Sequence, residues 1–171
     1  METRKHYAIA VCLLLGAFAG ASCRGKHDRV DAGPVSSFSM NDANAAGQLL
    51  SGFYGVEANS WRWTGKTFSI LLRTPSGGAQ RGGNLSFTFT IPDVSLQQLK
   101  TLRLSASTNG MMLKAAEYST SGVQTFTADV PASLLTADTV RIDFELDKSV
   151  PPAVDRRELG VVANSVGLAA K

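Results

Sequence analysis

Apolar and polar residues alternate along much of the chain between residues 67 and 147, and this period of two is typical of strands that bury one face. The runs TFSILL, NLSFTFTI, TLRLSAST and TVRIDFEL show the alternation most clearly. The apolar positions in these runs, which the pattern predicts to face a core, are Phe68, Ile70, Leu72, Leu85, Phe87, Phe89, Ile91, Leu102, Leu104, Ala106, Val140, Ile142, Phe144 and Leu146. The polar positions between them predict that the other face of each sheet meets water.

Turn signals separate these runs. Asn109-Gly110 predicts a tight hairpin because both residues tolerate positive φ. Residues 76–84, SGGAQRGGN, predict a mobile glycine-rich loop, and residues 131–138, PASLLTAD, predict one helical turn. The last segment, RRELGVVANSVGLAA, is rich in glycine and valine, so we expect a final strand that is bulged near Asn164 and Ser165. Seven or eight short strands at this spacing predict an all-β fold, an antiparallel two-sheet β-sandwich of jelly-roll type.

The first residues have the composition of an export signal. Arg4 and Lys5 precede an apolar run from residue 7 to residue 18, and small residues follow up to Ser22. The run is shorter than the ~20 apolar residues needed to span a bilayer core, so we interpret residues 1–22 as a secretory signal peptide outside the fold. The sequence GASC, which ends at Cys23, resembles the lipobox of bacterial lipoproteins, although Gly20 stands where that motif prefers Leu.

Lipidation of Cys23 is the prediction that this resemblance supports. The only other cysteine, Cys12, lies within the signal, so Cys23 has no disulfide partner, and an unpaired thiol in an oxidising compartment is prone to oxidation. The alternative is an ordinary free thiol beside a soluble-export cleavage site. The residue after the lipidated cysteine is Arg24 and not Asp. By the same resemblance to bacterial lipoproteins, this implies sorting to the bacterial outer membrane. Residues 23–46 then form a lipidated N-terminus and flexible tether, and residues 47–171 form the β-sandwich domain.

Charge and composition exclude several classes of function. Without residues 1–22, which carry Glu2, Arg4 and Lys5, the chain keeps 15 basic and 13 acidic residues, a net charge of about +2. The basic residues form no cluster, so we expect no nucleic-acid partner. The one remaining histidine, His27, lies in the predicted tether, which leaves the fold without a Ser-His-Asp or Cys-His arrangement and without zinc-ligand spacing. We therefore expect no catalytic residue, no metal and no cofactor.

The two tryptophans of the chain, Trp61 and Trp63, allow two interpretations. They are two residues apart, so in a strand they project from the same face, with Arg62 on the opposite face. In one interpretation they form an exposed aromatic surface. In the other, which we favour because tryptophan buries a large area, at least one of them belongs to the core, and Trp63 is the stronger candidate.

If the aromatic residues are exposed, the same stretch predicts a sugar-binding surface. Tyr54, Trp61 and Arg62 are the candidate ligand-binding residues. Flat aromatic rings suit the apolar faces of pyranose rings, and Arg62, Glu57 or Asn59 would hydrogen-bond the hydroxyl groups.

Motifs near the two ends of the domain resemble those of a known family. G-[aromatic]-[Tyr/His]-x-x-Glu and a following Arg-Trp-[Thr/Ser] match residues 52–57 and 62–64, and Asp-x-Arg-x-Leu-Gly matches residues 155–160. With the hairpin at Asn109-Gly110, residues 48 to 169 resemble an accessory β-sandwich domain found with bacterial glycosyltransferases and methyltransferases of surface-polysaccharide synthesis. The chain departs from that family because it carries an export signal and no attached transferase.

The resemblance implies a carbohydrate-binding-like domain without an activity of its own. We expect Glu57 and Arg157 to pair across the sheet, so that Glu57, Trp63, Asp155 and Arg157 form a structural motif. The expected function is that of a non-catalytic envelope protein, attached to the membrane by its lipid and binding a polysaccharide or another envelope component. The alternative is a structural module whose aromatic residues are all buried and whose free sheet edge meets a protein partner.

Overall fold

The computed structural model describes residues 33–153 and 155–171, so the predicted signal peptide, Cys23 and the first part of the predicted tether lie outside the described residues. The described residues form nine strands: β1 (Ser37–Ser39), β2 (Leu49–Glu57), β3 (Trp61–Arg73), β4 (Gly83–Ile91), β5 (Leu102–Thr108), β6 (Met111–Tyr118), β7 (Gly122–Val130), β8 (Thr139–Leu146) and β9 (Val162–Ala170). They also include α1 (Gly78–Arg81), α2 (Asp93–Leu99) and two 3-10 helices at Ala43–Gln48 and Ala132–Leu134. None of the helices in these ranges has the length and apolar character needed to cross a membrane.

The strands form two layers that share β3. In one layer β2, β3, β8, β5 and β6 lie side by side, and in the other β9 lies between β1 and β4, with β7 next to β4. β3 changes layer near Gly65, because Arg62 and Trp63 pair with β9 whereas residues 67–73 pair with β8. Every strand pair is antiparallel. The predicted all-β, two-layer antiparallel sandwich is confirmed, with nine strands in the described residues where the pattern predicted seven or eight.

The predicted apolar faces meet between the two layers. Each of the fourteen apolar positions predicted above to face the core is at most 4% exposed. Within one layer the ring centroids of Phe68 and Phe144 are 4.9 Å apart, and across the core the ring of Phe87 lies 5.5 Å from that of Phe68. Phe126 on β7 approaches Phe144 edge-on at 6.2 Å. These ring contacts connect the layers and stabilise the sandwich beyond the area that they bury.

The predicted turns and bulge are present. Asn109 and Gly110, with φ of +50° and +77°, connect β5 to β6, and Ala132–Leu134 forms the predicted helical turn. In β9 the register against β4 shifts by one residue at Asn164, which is the predicted bulge.

The glycine-rich segment after β3, predicted to be a mobile loop, is not a loop throughout. It contains α1 and the first residues of β4. Gly82 explains the sharp path between them: its φ is +80°, and a Cβ there would lie 2.7 Å from the carbonyl oxygen of Val130. Helix α2, which follows Pro92, was not predicted at all, because its seven residues are too few for a clear helical period.

The fold begins before residue 47, the predicted first residue of the β-sandwich domain. β1 pairs with β9, and Phe38 and Met40 are part of the core, at 6% and 1% exposure. The side chain of Gln48, itself 5% exposed, fixes the preceding segment. Its Oε1 accepts a hydrogen bond from the Val35 N–H at 2.9 Å, and its Nε2 donates to the carbonyl oxygens of Val35 at 2.9 Å and Leu71 at 2.6 Å. The polar composition of residues 33–46 concealed this attachment because it depends on few buried side chains.

Candidate functional site

The hairpin of β2 and β3 carries the aromatic stretch to one end of the sandwich. Its turn consists of Ala58 and Asn59, whose φ angles are +48° and +51°, and the Ser60 N–H donates to the Glu57 carbonyl at 3.0 Å. Positive φ at both central positions is what a type I′ turn requires, and its twist matches that of the flanking strands. The turn sets Glu57 directly opposite Trp61.

Trp61 and Trp63 project from the outer face of β3. The residue between them, Arg62, pairs with Ala163, a core residue, whereas Trp63 pairs with Val162, which lies outside the core cluster. Because side chains alternate between faces, the tryptophans lie on the side turned away from the core. Both are partly buried and neither belongs to the core cluster. The preferred interpretation, that Trp63 or Trp61 is a core residue, is therefore wrong.

The two indoles contact each other at a right angle. Their ring centroids are 6.2 Å apart and the ring planes are inclined by 85°, which is the edge-to-face arrangement that aromatic pairs favour. Each ring fixes the orientation of the other. The pair offers an apolar corner on the outer face of β3, formed by rigid side chains on a strand.

The side chain of Tyr54 is occupied by contacts within the fold. Its hydroxyl group donates to the carbonyl oxygen of Glu158 at 2.9 Å, and the guanidinium carbon of Arg157 lies 5.1 Å from its ring centroid. That distance is within the range of a cation–π contact, so the charge of Arg157 covers a face of the tyrosine ring. The structure uses Tyr54 to hold the segment before β9, a role that the sequence did not predict.

Arg62 lies on the face opposite to the tryptophans. Its Nε donates to the carbonyl oxygen of Met40 at 2.8 Å and its Nη1 donates to that of Tyr54 at 3.0 Å. The guanidinium therefore joins the end of β1 to β2. The structure does not bring the guanidinium of Arg62 together with Trp61 and gives it these structural contacts, while ligand binding by Arg62 stays a prediction.

The predicted contact between Glu57 and Arg157 is present, and Asp155 extends it. Arg157 Nη1 lies 2.6 Å from Glu57 Oε1. Its Nε and Nη2 donate to Asp155 Oδ1 at 2.9 Å and Oδ2 at 2.7 Å, which is a bidentate pair. These hydrogen bonds from Arg157 lower the pKa of Asp155 below its ordinary value, and the two carboxylates raise the pKa of Arg157. We call Glu57, Asp155 and Arg157 the arginine clamp.

Two glycines of the motifs, Gly52 and Gly160, lie where a larger side chain would collide with β3. A Cβ on Gly52, whose φ is +75°, would lie 2.0 Å from the carbonyl oxygen of Thr67, so glycine lets β2 bulge against β3. A Cβ on Gly160 would lie 2.6 Å from Thr64 Oγ1. Thr64 is fully buried, and its Oγ1 accepts from the Val161 N–H at 3.0 Å. The two separate sequence motifs thus meet at one place, where the segment before β9 crosses β3.

The same segment contains contacts that sequence reasoning missed. Val150 and Leu159 form an isolated antiparallel bridge, with N···O distances of 2.7 and 2.9 Å, and the Ser149 hydroxyl donates to Glu158 Oε1 at 2.5 Å. These contacts close the connection between β8 and β9 into a loop. The two consecutive prolines at 151 and 152 were the one sequence signal of a turn here.

Polar groups on the tryptophan face come from the hairpin. Glu57 shares this face with Trp61 because the two residues are directly opposite in the register. Asn59 is exposed in the turn, where its carbonyl oxygen accepts from Asn41 Nδ2 at 3.0 Å. We call Trp61, Trp63 and Glu57 the tryptophan face, and Asn59 lies in the turn next to Glu57. Among residues 33–153 and 155–171, no three His, Cys, Asp or Glu side chains lie close enough together to hold a metal ion.

Comparison with known proteins gives no family. No family model and no curated protein matches the sequence. Among solved structures, an acetyl xylan esterase from the rumen bacterium Butyrivibrio proteoclasticus is similar over 81% of this chain, with 7% identity and a TM-score of 0.46, and this chain spans 33% of the esterase. The CBM36-1 domain of a xylanase from the hindgut metagenome of Trinervitermes trinervoides is 12% identical over 79% of this chain and 98% of that domain, with a TM-score of 0.44.

A third solved structure, described as CBM4, is 14% identical over 79% of this chain and 85% of its own, with a TM-score of 0.36. These scores assign neither a family nor an activity to the chain. Its function has to be inferred from its own residues.

Proposed function

We propose that this chain is a non-catalytic, lipid-anchored protein of the bacterial cell envelope that binds a glycan through the tryptophan face. The single observation that carries the glycan proposal is the position of Trp61 and Trp63 on the outer face of β3. The chain has only these two tryptophans, and neither contributes to the core. Large aromatic side chains outside the core are typical of binding surfaces, because they offer apolar contact area at a small entropy cost.

The geometry suits a sugar ring better than an extended apolar ligand. The C–H face of a pyranose packs against one indole, and the second indole, inclined by 85°, contacts the edge of the same ring or its neighbour. Sugar hydroxyl groups then face Glu57 and Asn59. The Glu57 carboxylate accepts hydrogen bonds, and the Asn59 amide both donates and accepts.

The arginine clamp has a supporting role in this proposal. Arg157 holds Glu57 by a 2.6 Å contact, and so limits the rotamers of a side chain that faces the ligand. A side chain fixed before binding loses less entropy when the ligand arrives. The clamp therefore favours a rigid surface that accepts the sugar without rearrangement.

Tryptophan fluorescence tests the glycan proposal directly, because both emitting residues belong to the tryptophan face. Soluble peptidoglycan fragments and lipopolysaccharide O-chains are titrated into the purified protein. We expect a saturable change of emission with one of them, and its loss in Trp61→Ala measured by calorimetry. The matched control is Val123→Ala, which truncates an apolar side chain that is 70% exposed on β7. Equal affinity of Trp61→Ala and the wild type would contradict the proposal.

Anchoring through Cys23 is the second part of the proposal and is supported by the GASC sequence that precedes the predicted tether. Cells expressing the protein are grown with a clickable fatty-acid analogue. We expect the wild type to incorporate the label and Cys23→Ala to remain unlabelled. Labelling of both proteins, or of neither, would contradict the anchor without affecting the glycan proposal.

The free edges of β6 and β7 favour a second function, a protein-interaction module. In the described residues β6 pairs with β5 alone and β7 with β4 alone, so each leaves one row of backbone groups unpaired. A groove of about 570 Å³ lies between them, lined by Asn84, Leu113, Lys114, Thr127, Ala128 and Asp129. An extended segment of a partner protein would pair with such an edge. A photo-crosslinker at Met112, which is 63% exposed on β6, tests this function against the same crosslinker at Thr67 on β3. A protein adduct specific to position 112, with no glycan bound by the tryptophan face, would favour it over the first.

A further inference from the structure

A band of hydroxyl side chains lies on the outer face of the layer that contains β9. The strand register sets two rows of residues side by side across β1, β9 and β4: Ser39, Ser165 and Thr88 form the first row, and Ser37, Gly167 and Ser86 form the second. The residues that alternate with them, Phe38, Phe87 and Val166, belong to the core, so both rows face outward. We call the five hydroxyl-bearing residues of the two rows the hydroxyl track.

The hydroxyl track continues the tryptophan face. Trp63 pairs with Val162 on β9, and Val162 pairs with Thr90 on β4. Thr90 is two residues from Thr88, so the two side chains share one face of the sheet. From Val162 to Gly167 the distance along β9 is roughly 15 Å at the ordinary rise of a strand. A ligand in contact with Trp63 therefore reaches the track if it extends along β9 over this distance.

An open groove lies in the middle of the track. It has a volume of about 340 Å³ and is lined by the four serines of the track together with Phe38, Val166 and Gly167. Gly167 leaves its floor free of a side chain, because a Cβ there would lie 3.3 Å from the Cβ of Ser37. Sites for small ligands have volumes of about 300 to 1,000 Å³, so the groove has room for a sugar unit.

The chemistry of the track favours an uncharged ligand. None of its side chains is ionisable, and each hydroxyl group both donates and accepts hydrogen bonds, as sugar hydroxyl groups do. Ser37 and Ser39 are exposed and the other three residues are partly exposed, so all five are open to a ligand. An anionic polymer would lose hydration here without meeting a cation, which costs free energy. A protein partner is disfavoured because the cores of protein interfaces are enriched in aromatic residues, Met and Arg and depleted in Ser.

We infer that the hydroxyl track is a second part of the glycan site, and that the ligand is an uncharged polysaccharide chain that lies along β9 from the tryptophan face to Gly167. This inference rests on the proposed glycan binding. The tryptophans hold one sugar unit by apolar contact, and the track hydrogen-bonds the hydroxyl groups of the units that follow. Thr88 is branched at Cβ, so its few rotamers make the loss of entropy on binding small. A single sugar unit does not span both parts, and affinity should therefore increase with the length of the chain.

A double variant tests the track by calorimetry. Ser86→Ala combined with Thr88→Val removes two hydroxyl groups from the track. The matched control, Ser107→Ala combined with Thr67→Val, makes the same changes on β5 and β3, on the outer face of the other layer. The ligand is an O-chain of neutral sugars, used in fragments of one or two units and in long fragments. A wild-type Tm in both double variants shows that a change of Kd does not come from unfolding.

We expect the track variant to bind the long fragments about 25-fold more weakly than the wild type, which is about fivefold for each hydrogen bond lost. It should bind the short fragments as the wild type does, because these occupy the tryptophan face alone. The control variant should match the wild type with both sizes. An unchanged Kd for the long fragments, or an equal loss with short and long fragments, would overturn the inference and leave glycan binding intact.

The charge of the ligand gives a second test, which separates this inference from the function on which it rests. Peptidoglycan fragments carry the carboxylates of their peptides, whereas the O-chain of neutral sugars carries no charge. We expect the tryptophan emission of the wild type to change with the long O-chain fragments and not with the peptidoglycan fragments. Saturable binding of the peptidoglycan fragments alone would overturn the inference, although glycan binding would stand. If neither ligand changes the emission, the proposed function itself fails.

Discussion

Replacement of Gln48 by Met tests whether one buried amide attaches the N-terminal segment to the sandwich. Methionine has nearly the same length as glutamine, so the change removes the amide and leaves little cavity. Three hydrogen bonds disappear, one from the Val35 N–H at 2.9 Å and two to the carbonyl oxygens of Val35 and Leu71 at 2.9 and 2.6 Å. Val35 O keeps its bond from the Arg73 N–H, whereas no other hydrogen bond from the Val35 N–H is seen among the described residues.

The expected loss follows from these contacts. At about 1 kcal/mol of net stabilisation for each hydrogen bond, the free energy of unfolding falls by about 3 kcal/mol. In a domain of this size each kcal/mol shifts Tm by about 3 to 4 °C, so the expected fall is roughly 10 °C. A loss of this size is a large part of the stability of an ordinary domain, which is about 5 to 15 kcal/mol.

Urea unfolding followed by tryptophan emission, together with calorimetry, measures this loss. Gln80→Met is the matched control, because Gln80 is exposed on α1 and the same substitution there should leave Tm unchanged. At neutral pH Gln48→Glu should lower Tm more than Gln48→Met does, because the negative charge of the glutamate faces two carbonyl oxygens. In acid, where the glutamate is protonated, part of this loss of Tm should be recovered. A Gln48→Met protein that unfolds at the wild-type Tm would refute the reasoning, and the backbone hydrogen bonds accepted by Val35 and Ser36 would then be enough to hold the segment.

Four further predictions concern the arginine clamp, the close packing at Gly160 and the hairpin. Arg157→Ala should lower Tm in a thermal scan, and Arg157→Lys should lower it less because the lysine keeps the positive charge. If Arg157→Ala instead kept full stability and lost glycan binding, Arg157 would be a ligand-binding residue. Because the pKa of Asp155 is lowered from 3.8 in the folded state, its carboxylate stabilises the fold above that value, and this contribution is lost as the pH falls through the lowered pKa. Asp155→Asn should therefore flatten the fall of Tm between about pH 5 and pH 2, and parallel curves for the two proteins would contradict the clamp. Gly160→Ala should prevent stable folding or lower Tm strongly, since its Cβ would lie 2.5 Å from the Gly65 carbonyl oxygen, and a wild-type melt would show that this approach is relaxed in solution. Ala58→Gly should raise stability by about 1 kcal/mol in urea unfolding, because alanine at a φ of +48° is strained and glycine is not; destabilisation would refute that account of the turn.

The alternation of apolar and polar side chains is enough to predict most of the fold. Every predicted core position between Phe68 and Leu146 is buried, the Asn109-Gly110 hairpin is present, and the bulge of β9 lies at Asn164. These features are local, since a period of two and a residue that tolerates positive φ are visible within a few positions of the chain. The contact between Glu57 and Arg157 was also predicted. That prediction came from two motifs far apart in the sequence that resemble those of a known family, and not from a local pattern.

Tertiary structure alone decided where the polar and aromatic side chains of the site point. Arg62 and Trp61 are neighbours in sequence, yet one reaches backbone carbonyls behind β3 and the other faces outward. The pattern could not assign these faces, because β3 changes layer near Gly65 and its tryptophans are not continuous with the run that begins at Phe68. The attachment of β1 was hidden for a related reason: three residues, paired with β9 more than 120 positions later, leave no periodic signal. Burial depends on which distant strand lies above a residue, and that partner is set by long-range packing, which neighbours in the sequence do not encode.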